Sequence, residues 1–421
     1  MNVKSLLYLQ FLQSVQLLYV WRMFEKGTFI RDLKSFVTLV PVGVFGHRQT
    51  GKTTFTEKTS NYYITFDQRE KRLEAENGPD LFLKKNHGKR TVIDECQRVP
   101  EIFPALKEWV RLHKRPGQFV LTGSVKFTSR KGVRESLIGR LGSVELLPLT
   151  VAEILENDLP DSMLRLIDSR NFLQLDLSKF HAKNFRLEKK LFSIYLSQGG
   201  LPGICFVHNT RSRKDCFNTL LNLMLDFDMR QILDTKLSLR SLQNLLAFVA
   251  MKALRPYSYA EAKRELKLSE ATQKRILFAL ESIYLLRRVK IDGAKGELFL
   301  LEDQLEESIL SNASLALETQ QLTALYRNVR AQFAYRSGEL FEFFQYRTRG
   351  GAYIPLAIKT ETGILGWMMI NGLMPSLSEK RSAESFIRKY PQAKVLFLSK
   401  SIQSANAISS NQLALSIYSL I

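Results

Sequence analysis

Cysteine is scarce in this chain, with three among 421 residues: Cys96, Cys205 and Cys216. Cysteines this few and this irregularly spaced exclude a disulfide framework and a cysteine-rich metal site, and they fit a reducing cytoplasm. Cys96 reads most simply as a small packing residue. Acidic side chains are also in deficit. The 41 aspartates and glutamates face 61 lysines and arginines, leaving a formal charge of +20 and a pI of about 9.8. That balance favours polyanions and anionic lipid surfaces, unless the whole proteome is basic. The basic residues come in scattered clusters, Lys84-Lys85, Arg211 to Lys214 and Arg287-Arg288 among them, so charge alone locates no groove. Long apolar runs are missing beyond the amino end. Leu6 to Trp21 is apolar with Lys4 ahead of it, but it is short for a bilayer and no small-residue cleavage site follows. Gln10, Gln13 and Gln16 fall at helical spacing, which points to a packed amphipathic helix, with membrane association as the second reading. What remains is the composition of a large soluble protein, 45% hydrophobic and 24% charged, able to bury about two or three cores.

One short segment stands out against that background. Gly46-His47-Arg48-Gln49-Thr50-Gly51-Lys52-Thr53-Thr54 matches the phosphate-binding pattern GxxxxGK[ST] in full. Its glycines let successive backbone N–H groups turn inward onto phosphate oxygens, and the helix starting near Lys52 aims its positive end at the same anion. Lys52 is placed to reach the β- and γ-phosphates of a nucleotide, and the Thr53 hydroxyl to ligate Mg²⁺. The flanks agree: Val42-Gly-Val-Phe45 suits a buried strand, and Thr53 to Thr59 suits a first helical turn. Further on, Thr91-Val-Ile-Asp94-Glu95 is a β-branched run ending in two carboxylates. Asp94 at a strand end can hold Mg²⁺ through water, and Glu95 can take a proton from the attacking water. A third strand candidate, Gln118-Phe-Val-Leu-Thr122-Gly123-Ser124, ends in hydroxyls. Thr122 and Ser124 are candidate γ-phosphate sensors, or caps for the turn at Gly123. Arg140 is a candidate for neutralising transition-state charge, on its own nucleotide or on that of a neighbouring subunit in a homo-oligomer, or else a surface arginine.

These motifs together carry a resemblance. The loop at Gly46 to Thr54, Ile93-Asp-Glu-Cys-Gln-Arg-Val-Pro100, Leu121-Thr-Gly-Ser124, Ser136-Leu-Ile-Gly-Arg140 and Leu147-Pro-Leu-Thr-Val-Ala-Glu153 occur in this order. The chain resembles the prokaryotic AAA-type P-loop ATPases that carry a C-terminal domain of unknown function, most specifically over residues 40 to 155. Gln198-Gly-Gly-Leu-Pro202-Gly203 is similar to that family's helical-region signature, and Leu225-Asp-Phe-Asp228 sits where the family has an acidic stretch.

Two regions follow. Between Arg240 and Asp303, Ser241 to Ala253 has apolar residues at helical spacing. Ser258 with Glu261 marks a second helix start, and Ser269 caps a third helix, Glu270 to Leu285. That helix is expected to bury Ile276, Leu277, Leu280 and Ile283 and to show Gln273, Lys274 and Arg275. Two apolar runs, Leu286 to Ile291 and Glu297 to Leu301, joined by Asp292-Gly293-Ala-Lys-Gly296, complete a winged-helix pattern, used either for a DNA groove or for protein contacts. In the last hundred or so residues, Gln332 to Gly338, Glu342-Phe-Phe and Ile354 to Lys359 are expected as strands of a small mixed sheet. The resemblance implies a restriction-endonuclease-like domain there, in which Glu342 can replace the first carboxylate of a metal-dependent site and Lys359 keeps its lysine. Ala357 stands where the second carboxylate belongs, and alanine cannot ligate a metal. Unless Glu339 or Glu361 substitutes, the scaffold is nuclease-like without cleavage.

The expected fold is therefore α/β: a P-loop NTPase (AAA-type) three-layer core, then a helical and winged-helix region, then a small α/β restriction-endonuclease-like domain. The segments are 1–40 helical, 41–155 ATPase, 156–235 helical connector, 236–302 winged-helix-like and 303–421 degenerate nuclease-like. The expected function is ATP·Mg²⁺ binding and hydrolysis, with nucleotide state controlling the hold on a partner, DNA first. The alternative is a nucleotide-regulated protein- or membrane-interaction switch with little turnover.

Overall fold

In the computed structural model, which describes residues 42–86, 88, 90–113, 118–126, 142–181, 185–312, 314–337 and 340–421, packing divides the chain into two units. One holds the described residues up to Pro148 with Leu201–Leu239 and Lys274–Leu286; the other holds Leu149–Gly200, Arg240–Gln273 and Arg287–Ile421. The expected helix at Leu6 to Trp21, Arg140 and Glu339 lie outside the described residues.

The first unit is built on β1 (Val42–Phe45), β2 (Tyr62–Thr65), β3 (Thr91–Asp94), β4 (Phe119–Gly123) and β5 (Gly142–Glu145). They form a sheet in the order β2-β3-β4-β1-β5, and every pairing is parallel. Parallel sheets need cover on both faces, so their strands read as continuous apolar runs. Here Val44, Val92 and Val120 pack with Phe55 on one face. Phe45, Ile93 and Leu121 pack with Ile102, Phe103 and Leu106 on the other. Cys96 is buried in that second cluster, as a small packing residue should be. Glycine loop and helix follow β1 directly: α1 spans Lys52–Thr59. Later in the same unit, α2 (Thr210–Leu223) runs into a π-helical turn, Met224–Asp228, and a final turn, Met229–Ile232. Asn209 caps α2 by accepting from the Ser212 N–H at 3.0 Å.

The three helices expected after Arg240 are α3 (Leu239–Met251), α4 (Tyr259–Leu266) and α5 (Glu270–Ser282). Their caps are those read from the sequence. Ser258 Oγ accepts from the Glu261 N–H at 3.2 Å, and Ser269 Oγ from the Thr272 N–H at 3.1 Å. Ile276, Leu277, Leu280 and Ile283 are buried, and Lys274 and Arg275 are exposed. Gln273 departs from expectation. It is fully buried, its amide donating to the carbonyls of Leu268 and Tyr259 and accepting from the Tyr257 hydroxyl at 2.9 Å. The Leu268 carbonyl, in the turn between α4 and α5, offers this side chain an inward acceptor.

The second unit holds an eight-stranded mixed sheet, larger than the small one expected. Its strands are β6 (Leu286–Asp292), β7 (Glu297–Leu301), β8 (Glu342–Arg347), β9 (Tyr353–Lys359), β10 (Ile364–Met369), β11 (Ala393–Ser399), β12 (Asn406–Ser409) and β13 (Gln412–Ser416). The order is β12-β13-β11-β10-β9-β8-β6-β7. β6 pairs parallel with β8, so the strands on either side of the 302/303 border share one sheet. Pro355 lies in the β8–β9 register irregularity between Phe344 and Tyr346, where a missing N–H does least harm. Leu356, Ile358 and Trp367 face one core; Ala357, Met368 and Val395 face the other.

Between β7 and β8 run α6 (Gln304–Leu310) and α7 (Leu317–Gln332). Gln332 to Ser337 is not the strand expected: α7 ends at Gln332 and a π-turn, Phe333–Ser337, continues it. Its short alternation fits either period, and the preceding helix decides. Leu322, Leu325, Tyr326, Val329 and Phe333 recur at three- and four-residue intervals and are all buried. An ionic network fixes these helices. Arg287 and Arg330 bond the Glu302 carboxylate at 2.6 and 2.8 Å, and Arg327 bonds Glu307 at 3.0 Å. Burial alone would push Glu302 up; the two guanidiniums hold it below the usual carboxylate range. Asp303 caps α6 and also accepts from the Gly200 N–H at 2.7 Å.

Ala357 is fully buried. Ala357→Glu is therefore expected to lower unfolding free energy by about 3 kcal/mol or more, because the new carboxylate has no partner in an apolar core. Urea denaturation followed by circular dichroism checks this; a loss under about 1 kcal/mol contradicts the placement.

Candidate active site

The carboxyl ends of β1, β3 and β4 lie side by side, and each carries part of the predicted site. Register aligns Phe45 with Gly123 and Ile93 with Leu121, so Gly46, Ser124, Asp94 and Thr122 cluster at one edge of the sheet. The loop after β1 is shaped by close approach. A Cβ on Gly46 would lie 2.2 Å from the Leu146 carbonyl oxygen, while the Leu146 N–H bonds the Phe45 carbonyl at 2.7 Å. Gly51 is left-handed, with φ 89°, and starts α1. Gln49 is left-handed as well, with φ 61°, an uncommon state for a residue with a side chain.

Lys52 is buried and curls over the loop, its Nζ donating to the carbonyls of Gly46 at 3.1 Å and His47 at 2.8 Å. Burial pushes its ammonium down to about 8, against the fields of Glu95 and Asp94. Thr50 Oγ1 ties the loop internally by donating to the His47 carbonyl at 2.9 Å. Thr53 is exposed, and its hydroxyl donates to Asp94 Oδ2 at 3.4 Å. The hydroxyl of Thr122 donates to Asp94 Oδ1, and that of Tyr63 to Oδ2. Thr122 therefore serves Asp94. Ser124 is buried, with no hydrogen-bond partner for its hydroxyl among the described residues.

Glu95 directly follows Asp94, yet a left-handed φ of 53° turns it onto a different path. Gln97 Nε2 donates to its Oε2. Burial, then the Asp94 charge, raises the Glu95 carboxyl above its ordinary value, while Arg48, Lys52 and Gln97 partly offset this. Paired carboxylates in unlike environments are a recurring acid–base arrangement. As for a cation, Thr53 and Asp94 offer hard oxygen donors close together, which suits Mg²⁺ that keeps waters and phosphate oxygens as its other ligands. Among the described residues no cluster of three His, Cys, Asp or Glu forms a protein-only metal cage.

Arg48 leaves the loop in another direction. Its Nη2 donates to Asp228 Oδ1 at 2.8 Å and its Nε to Oδ2, a two-point fork. Tyr63 and Gln97 were not foreseen, and neither was the Arg48–Asp228 link. Gln97 had a signal, two residues after Glu95. Tyr63 had none, because only sheet order brings β2 beside β3.

Comparison with known proteins bears on this geometry. Residues 40–155 match the family described as AAA domain. The chain carries an AAA-type P-loop ATPase domain. Residues 189–291 match a domain of unknown function (DUF8612), a span that includes Asp228 and α3 to α5. The uncharacterized protein Rv2008c of Mycobacterium tuberculosis and the uncharacterized protein Mb2031c of Mycobacterium bovis are each 38% identical over 113 residues. That match covers 26% of this chain and spans only 25% of those curated relatives. Among solved structures, a signal transduction ATPase with numerous domains and a tetratricopeptide repeat sensor, from Pyrococcus horikoshii, is 14% identical. It covers 72% of this chain and 45% of its own, with a TM-score of 0.24. Protein VC1899 of Vibrio cholerae is 9% identical, covering 90% and 95%, with a TM-score of 0.19.

The AAA domain's lysine makes a pH prediction. If Lys52 contacts a bound phosphate, it does so in its charged form, which prevails below about pH 8 in the free protein. ATP affinity is expected to be level from about pH 6.5 to 7.5 and to fall by up to about tenfold per unit above 8. Fluorescence titration with a labelled ATP analogue across that range tests it; affinity that stays level to pH 9.5 contradicts it.

Proposed function

We propose that the protein binds ATP with Mg²⁺, hydrolyses it, and uses nucleotide state to control its hold on duplex DNA. The AAA domain supports nucleotide binding and hydrolysis. The observation carrying the hydrolytic part is the position of Glu95, beside Asp94 and Lys52 but with its carboxyl raised and oriented by Gln97.

In this reading the loop N–H groups and Lys52 hold the β- and γ-phosphates. Mg²⁺, held by Thr53 and through water by Asp94, would neutralise phosphate charge. Glu95 takes a proton from water as the water oxygen bonds the γ-phosphorus. The bond from that phosphorus to the bridging oxygen breaks, and the electron pair leaves with ADP. Positioning and charge stabilisation carry most of phosphoryl transfer. Thr122 holds Asp94 in place, and Ser124 is the better of the two hydroxyls for touching the γ-phosphate. Arg140 is proposed to add positive charge, in cis or from a neighbour.

DNA is favoured by the charge of +20 and by the helix–helix–helix–hairpin order of α3, α4, α5, β6 and β7, which we read as a winged helix. Lys274 and Arg275 on α5 would meet phosphates. The C-terminal sheet is read as a nuclease-like scaffold that does not cut. Ala357 is buried, and Glu342, exposed at the start of β8, pairs with Lys290. A protein or membrane partner is the second reading, favoured by Phe278, 50% exposed on the same helix, and by Leu377, 74% exposed at the start of α8 (Leu377–Lys389).

ATP turnover of wild type, Lys52→Ala and Glu95→Gln, each with and without duplex DNA, separates these. DNA-stimulated turnover is expected. Glu95→Gln should lower kcat at least about 100-fold while still binding ATP, and Lys52→Ala should lose both. Nucleotide binding with negligible turnover favours the second reading, and salt-independent or absent DNA binding removes the first. Mg²⁺-dependent strand cleavage would overturn the reading of Ala357.

A further inference from the structure

Phosphate binding by the loop falls to its N–H groups and Lys52, so Arg48 is a charge that this task does not require. Its fork on Asp228 spans 180 positions of sequence and joins the loop to the π-helical turn Met224–Asp228, within the first unit. Asp228 is 1% exposed, so its carboxylate has little water to turn to if Arg48 leaves. The next loop residue lies against the same segment: a Cβ on Gly203 would lie 2.8 Å from Gln49 Oε1. The segment Leu201–Leu239 therefore touches the loop at two successive positions, one of them in the left-handed conformation of Gln49. π-turns interrupt regular helix bonding and concentrate at functional places.

We propose that Asp228 is a positioning residue for nucleotide binding: by clamping Arg48 it holds the phosphate loop in its binding shape and links nucleotide occupancy to the order of the turn at Met224–Ile232. This rests on the reading of residues 46–54 as a nucleotide site. Linkage makes the effect reciprocal. Whatever factor the clamp contributes to ATP affinity, ATP returns to the stability of the clamp. Signalling thus runs both ways along one ion pair.

The test joins two measurements on the full chain. Affinity for a fluorescent ATP analogue with Mg²⁺, together with KM and kcat, is measured for wild type, Arg48→Gln, Asp228→Asn and the double variant. Each single variant is expected to lose about tenfold in affinity, read as a raised KM. The double variant should be no worse than either single one, because both remove the same interaction. Hydrogen exchange of amides 224–232 in the wild type, which needs no variant to fold, should slow by a similar factor on saturation with ATP. Additive losses in the double variant, or exchange unchanged while ATP binds, overturns the clamp and leaves the nucleotide site standing. Failure of the wild type to bind the analogue removes the nucleotide site and the clamp together.

Discussion

The carboxylate of Asp94 is the point on which the first unit converges. Hydroxyls from β2, β4 and α1 all donate to it, through Tyr63, Thr122 and Thr53. Strand order makes this possible: β3 lies between β2 and β4, and β4 lies next to β1. Three hydroxyl donors fix the direction of this buried carboxylate. The left-handed turn at Glu95 then takes the second carboxylate out of that company into a setting that favours the neutral form. The turn of the backbone thus gives two adjacent acids different surroundings.

Much of this was legible in sequence because the loop and the acidic pair are local patterns. Gly46 to Thr54 and Thr91 to Glu95 each carry strand, turn and chemistry within a few residues. The serine caps at Ser258 and Ser269 were readable for the same reason. What sequence could not show depends on which strands become neighbours. Tyr63 looks like any strand tyrosine until β2 is placed beside β3. Asp228 lay in a noted acidic stretch, but its partner was 180 positions away.

Local ambiguity hides other features. Gln332 to Ser337 alternates briefly, and only the apolar spacing of α7 upstream reveals a helix carrying on. Gln273 sits among charged residues, where an exposed position is the natural expectation; three backbone and side-chain partners draw it inward. β6 and β7 look locally like a self-contained hairpin, which hides the extent of the second unit's sheet. Their parallel link to β8 crosses the two helices between them and leaves no local trace.

The ion network of the second unit has a consequence for how this sequence can change over generations. Arg287, Glu302 and Arg330 share one buried arrangement, with Arg327 and Glu307 close by in the chain. Losing one member strands its partner's charge away from water, at about 3–5 kcal/mol, whereas exchanging the whole group for apolar residues can be nearly neutral. Single substitutions therefore lead downhill from every side. Descendants of this chain should keep all these charges or replace them together, so that intermediate combinations are rare among its lineages.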